Sequence, residues 1–176
     1  NANDITVNSE NIIVQDAARL DAQNNIEILN DNGKLTIDSD STLEGLLARE
    51  DINIDVKKIE LKQKSNINGK NIHLLANEIS LQDESNILGN NIQVDGDNLN
   101  ISGDSAIDSV VQTSINTQNT QLSDQARLRS LNHDHTIRFD NEDGQVTLSD
   151  NSRIENNRGN SQVLFNNDKT IISGDS

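Results

Sequence analysis

Apolar residues recur along this chain in pairs two apart, the period of a β-strand that shows one side inward. Five apolar places repeat, with steps of 2, 5, 2 and 6 between them. In NIHLLANEISLQDESNILGN, which runs from Asn71 to Asn90, they are Ile72, Leu74, Ile79, Leu81 and Ile87. The same steps fit Ile5, Val7, Ile12, Val14, Leu20, then Ile52, Ile54, Ile59, Leu61, Ile67, and Ile92, Val94, Leu99, Ile101, Ile107. A last partial copy holds Val163, Phe165, Thr170 and Ile172. Two copies take two extra residues after the second place: Ile26, Ile28, Leu35, Ile37, Leu43 and Ile137, Phe139, Val146, Leu148, Ile154. One copy fits poorly. Ile115, Thr117, Thr120, Leu122 and Leu128 require a shortened turn, and a register through Val111 and Thr113 is open beside it.

Of these 39 places, 36 are apolar and three are Thr, which favours a repeat over a disordered chain. A column left out of that matching carries more weight. Two residues before the fifth place stand Ala18, Ser41, Ser65, Ser85, Ser105, Ala126 and Ser152, all small. Periods of 20 to 26 residues are too short for a helix and two strands. Short strands recurring at that period pair in parallel with their counterparts in the next coil. The chain is therefore predicted to be all-β, a right-handed parallel β-helix (β-solenoid) of about eight coils. It would form one domain over residues 1–176, about 40 Å tall at ~4.8 Å per coil. The small column suits a tight corner. Phe139 and Phe165 share the second place and should stack.

Composition changes the picture in three ways. The only aromatic residues are Phe139 and Phe165, and Cys, Met, Trp, Tyr and Pro are absent, so the core is aliphatic and without disulfides. Asn fills 28 positions, enough to supply many turns, since it tolerates the left-handed backbone they need. Asp51, Asn71 and Asn91 open successive coils, which predicts amide ladders. The net charge of −15 argues against nucleic acid or an anionic membrane as partner. No apolar run approaches the ~20 residues of a membrane span. Five of the seven Lys fall between residues 57 and 70. Stacking places Lys62 beside Asp38 and Lys64 between Asp40 and Glu84, so that cluster reads as charge compensation between coils. There is no signal peptide and residue 1 is Asn, which reads as an internal segment of a larger secreted protein.

The copy at 71–90, written N-I-x-L-x-A-N-x-I-x-L-x-D-x-S-x-I-x-G-N, resembles the repeats of filamentous haemagglutinin-like proteins, the exoproteins of two-partner secretion. The resemblance covers most of residues 4–176 and fades at 110–135. Autotransporter passengers and phage tailspikes look similar. The family implies a secreted or surface-displayed bacterial fibre used in adhesion, biofilm formation or toxin delivery. Its partners would be a host or cell-surface receptor or glycan and neighbouring modules of the same polypeptide. It lends this chain no catalytic residue, metal or cofactor. The Asn-Pro motifs of the family's secretion domain are missing, since the chain has no Pro.

Candidate chemistry gathers at one corner. Longer connections fall at Glu44–Glu50, Asp108–Ser114, Arg129–Thr136 and Glu155–Ser161, with excess apolar residues Leu46, Leu47, Val110, Val111 and Leu131. Stacked, they would make a ridge, and such insertions often mark a solenoid's binding face. Arg129, His133, Asp134, His135 and Arg158 are its candidate binding residues. His133 and His135, two apart, would meet one metal ion on an extended segment, but no fourth ligand accompanies them, and exposed loop histidines are the simpler reading. Asp140, Glu142 and Asp143 before Gly144 form an acidic turn without a calcium-loop spacing. A carbohydrate-binding or polysaccharide-cleaving β-helix and a phage or viral fibre subunit are the competing functions. Against an enzyme stand the lack of aromatic sugar platforms and of any nucleophile or phosphate motif.

Overall fold

The computed structural model describes residues 2–40, 45–156 and 161–174. Those residues form sixteen strands and no helix, joined in one continuous sheet. Each strand pairs in parallel with its counterpart in an adjacent coil. The first place therefore runs as one column through Ile5, Ile26, Ile52, Ile72, Ile92, Thr113, Ile137 and Val163. The third runs through Ile12, Leu35, Ile59, Ile79, Leu99, Thr120, Val146 and Thr170. This is a parallel β-helix of about eight coils. Its axis is filled by stacked Ile, Leu and Val side chains, nearly all buried between coils 2 and 7. Phe139 and Phe165 stack with ring centroids 4.9 Å apart and planes 1° from parallel.

One corner is built by a repeated β-turn. The amides of Ser65, Ser85, Ala126 and Ser152 donate to the carbonyls of Lys62, Gln82, Ser123 and Ser149, at 3.0–3.3 Å. Two residues after the fourth place the backbone turns left-handed, at Asp16, Gln63, Asp83, Gly103, Asp124, Asp150 and Gly174 (φ 52–69°). Asp and Gly suit that conformation, one by local hydrogen bonding and the other by lacking Cβ. The small column turns inward here and is fully buried from Ser65 to Ser152. Its hydroxyls are satisfied inside: Ser85 bonds Ser105 at 3.2 Å, Ser65 donates to the Ile37 carbonyl at 2.9 Å, and Ser152 to that of Leu122 at 3.0 Å.

Two coils depart from the expected register. In coil 2 the fifth place is Leu46, which pairs with Leu20 and Ile67, and not Leu43, which lies outside the described residues. Ser41 and Glu44 lie outside them too. Ser39, not expected inside, is buried and donates to the Asp16 carbonyl at 3.0 Å, while Ala18 is exposed. Gly45 forces this register: a Cβ there would stand 2.1 Å from the Asn66 carbonyl oxygen, at a φ of +118°. In coil 6 the first two places are Thr113 and Ile115, so the regular steps 2, 5, 2 and 6 hold after all. Thr passes as a core residue because its hydroxyl finds a partner. Thr120 bonds Thr117 at 2.7 Å, and Thr113 bonds Ser109.

The amide ladders run up the outer face. Asn91 donates to Asn71 at 2.8 Å, Asn71 to Asp51 at 2.7 Å, and Asn25 to Asp4 at 3.0 Å.

Candidate functional site

Four of the five clustered lysines are paired with acids where they stand. Glu60 projects from the third-to-fourth-place strand between Lys34, Lys58 and Lys62, at 2.8, 3.2 and 3.4 Å. Lys58 also meets Glu78 at 2.8 Å, Lys70 meets Glu50 at 2.8 Å, and Lys64 lies 4.0 Å from Glu84. The Lys34 ammonium, helped by Lys58 and Lys62 and opposed by partial burial, pulls the Glu60 carboxyl down to about 2. A carboxyl depressed in the folded state stabilises the fold above its unfolded pKa of 4.5 and loses that contribution as pH falls through about 2. Glu60→Gln should therefore cost about 1–2 kcal/mol at pH 7, discounted for solvent screening. The gap to the parent protein should close between pH 5 and about 2. Urea unfolding at pH 7, 4 and 2.5 would show it, and a gap independent of pH would contradict it.

The insertion corner is smaller than expected. Leu46 is a core place, and the strand Ala106–Leu122 carries only a bulge between Ser109 and Gln112. Long connections remain at two adjacent coils, after Leu128 and after Ile154. Val111, at the bulge, and Leu131, in the connection after Leu128, are exposed.

The candidate residues are split by the fold. Arg129 forms a two-pronged ion pair with buried Asp108, Nε to Oδ1 at 2.7 Å and Nη2 to Oδ2 at 2.6 Å. Asp108 holds the guanidinium proton even more firmly than usual, against the pull of burial. His135 is fully buried, which corrects the reading of both histidines as exposed. Its Nε2 bonds Ser109 Oγ at 2.6 Å, while Nδ1 is buried without a partner. His133 and Asp134 are exposed, and Asp134 is left-handed (φ 59°), so the segment is not extended. One histidine therefore points into the wall and the other lies outside it. Arg158 lies outside the described residues.

Burial lowers the His135 pKa below its ordinary 6.5. The unfolded chain then takes up the proton first as pH falls, so stability should decline below about pH 6.5. His135→Phe should flatten that part of the pH–stability curve, read by thermal melts from pH 7.5 to 5.

In the acidic turn, Arg138 clasps Asp140 at 3.0 and 3.1 Å, and Asn141 closes a tight turn onto the Gly144 amide at 2.9 Å. Among the described residues no group of three His, Cys, Asp or Glu stands close enough to share a metal ion.

The outer face of the fifth-place strand shows what sequence reasoning missed. Arg127 and Arg153 precede Leu128 and Ile154 and are direct register partners. Between them and Gln125, Asn151 and Glu155 lies an open recess of about 400 Å³. On the other side of Arg127 a second recess, about 420 Å³, is lined by Arg129 together with Glu84, Asp104 and Asp108. Counting back one residue from the fifth place in each coil would have found the arginine pair. The comparisons give no external guide: the chain matches no family model, no curated protein and no solved structure.

Proposed function

We propose that this chain is a shaft segment of a secreted or surface-displayed bacterial fibre, serving adhesion, biofilm formation or toxin presentation. The observation that carries the reading is the register, held in four inward columns through all eight coils and in the fifth through the first seven. Hydrogen bonds between coils run along the axis, so the rod resists bending and sets a fixed distance between what lies at its two ends. Its charge keeps neighbouring rods apart, and its Asn ladders cover the outer faces with paired polar groups. The resemblance to filamentous haemagglutinin-like repeats points the same way.

Surface display tests it. The chain would be placed between an outer-membrane anchor and a small binding domain on a non-adherent bacterium. Capture of cells on a surface bearing that domain's target should rise over the anchor–binder fusion without the chain. No gain in capture would overturn the shaft reading. New reducing ends released from a polysaccharide panel by the purified chain would overturn it in favour of an enzyme.

A further inference from the structure

We propose that Arg127 and Arg153 form a binding site for the carboxylate of an acidic saccharide, in the recess on the outer face of coils 6 and 7. Shaft function neither requires this site nor predicts it.

The pairing itself calls for an anion. Arg127 and Arg153 are direct partners in a parallel ladder, so their backbones lie about 4.8 Å apart. Leu128 and Ile154 next to them point into the core, so both guanidinium groups project from the same outer face. Like charges placed directly opposite one another destabilise a sheet. Elsewhere this fold interleaves them with acids, as Glu60 does among three lysines. Among the residues lining this recess the one acid is Glu155, 3.8 Å from Arg153, and Arg127 has no ion-pair partner among the described residues. The Nε of Arg127 is also covered from solvent with no acceptor. A carboxylate taken up by the two guanidinium groups would lie between the two charges, and a small turn of the Arg127 side chain would give its Nε an acceptor.

The choice of recess follows from charge. On the Asp108 side, three acids already face Arg127 and Arg129, and Arg129 is fully engaged. On the Arg153 side, two arginines face one carboxylate. The guanidinium fork matches a planar carboxylate, which it can hold through two parallel hydrogen bonds. Gln125 and Asn151 line the same recess, and their amides both donate and accept, which suits the hydroxyls flanking a sugar carboxylate. The chain has no Trp or Tyr on which a neutral sugar ring would stack, so recognition has to rest on charge and amides.

Titration of the whole chain with an oligogalacturonide, followed by heteronuclear NMR, tests the site. Saturable binding is expected at low ionic strength, with the Arg127 Nε–H signal among those that move, weakening as salt is raised. Arg127→Gln and Arg153→Gln should each weaken binding at least tenfold. Arg153→Lys, which keeps the charge and loses the fork, should weaken it several-fold. Lys57→Gln, on another face, should leave it unchanged. A neutral oligosaccharide of the same length and acetate alone should bind far more weakly. Absence of saturable binding, or indifference to both Gln variants, would overturn the site. Acetate binding as tightly as the oligosaccharide would overturn its assignment to a saccharide. Should either Gln variant fail to fold, the wild-type Nε–H shift decides: no movement on titration refutes the proposal.

Discussion

Ile79→Ala is expected to cost about 3 kcal/mol of unfolding free energy, within the range for large-to-small changes in a packed core. Ile79 holds the third place of coil 4 and is wholly buried. Its register neighbours are Ile59 below and Leu99 above, each fixed by its own strand pairing. Neither can sink into the space without breaking inter-coil hydrogen bonds, so the cavity persists and its full cost is felt. The same change at Ile172, on the fourth place of the last coil and 62% exposed, should cost well under 1 kcal/mol. For a chain of this length the central change should lower the melting temperature by roughly 6–12 °C. Chemical denaturation of both variants, followed by far-UV circular dichroism, reads the difference directly. Equal losses at the two sites would mean that Ile79 is not stacked in the middle of a continuous core. A stack of coils transmits stability only between neighbours. The Ile79 variant is therefore also expected to show a broader transition, as the coils on either side of the defect lose their coupling.

The columns were legible in the sequence because the inward side of a strand has to be apolar every second residue, and stacking repeats that demand coil after coil. The serine column was legible because a corner that turns inward excludes large side chains. Leu43 against Leu46 was not decidable by hydropathy, since both are leucine. The deciding residue was Gly45, whose lack of a Cβ lets it lie against the Asn66 carbonyl. Coil 6 was misread for a related reason: Thr113 counts as polar in a pattern, yet it holds the first place with its hydroxyl paired to Ser109 inside the wall. The candidate site was harder still. His135 reads as a loop residue, and its burial depends on Ser109, 26 residues earlier, lying one coil below. Arg127 and Arg153 look unrelated 26 residues apart, until the widened turn of coil 7 and its long connection are counted into the register. Hydropathy shows which side of a strand faces in. It does not show which outward side chains become neighbours, because that depends on the length of every insertion between them.

Arg129→Ala is expected to cost about 2–4 kcal/mol, more than a surface arginine usually contributes, because it strands a buried carboxylate. Asp108 and Arg129 are register partners on coils 5 and 6, and their side chains are 5% and 33% exposed. The two short, parallel hydrogen bonds between them use both carboxylate oxygens. Without the guanidinium, Asp108 loses both of these hydrogen bonds in a wall that water reaches poorly. Arg129→Lys should fall between the two, since an ammonium restores the charge but makes one contact where the fork makes two. Asp108→Asn should be milder than Arg129→Ala, because it leaves only the better-exposed cation without its partner. Combining Asp108→Asn with Arg129→Ala should then recover part of the loss, and a double-mutant cycle on urea midpoints measures the coupling. Strong coupling makes Arg129 a fastening between coils, and a loss of ligand binding in its alanine variant would then report a loosened wall beside Arg127. A variant as stable as the parent, with no coupling to Asp108, would instead make Arg129 a free surface cation and return it to the arginine face as a direct contact for an anion.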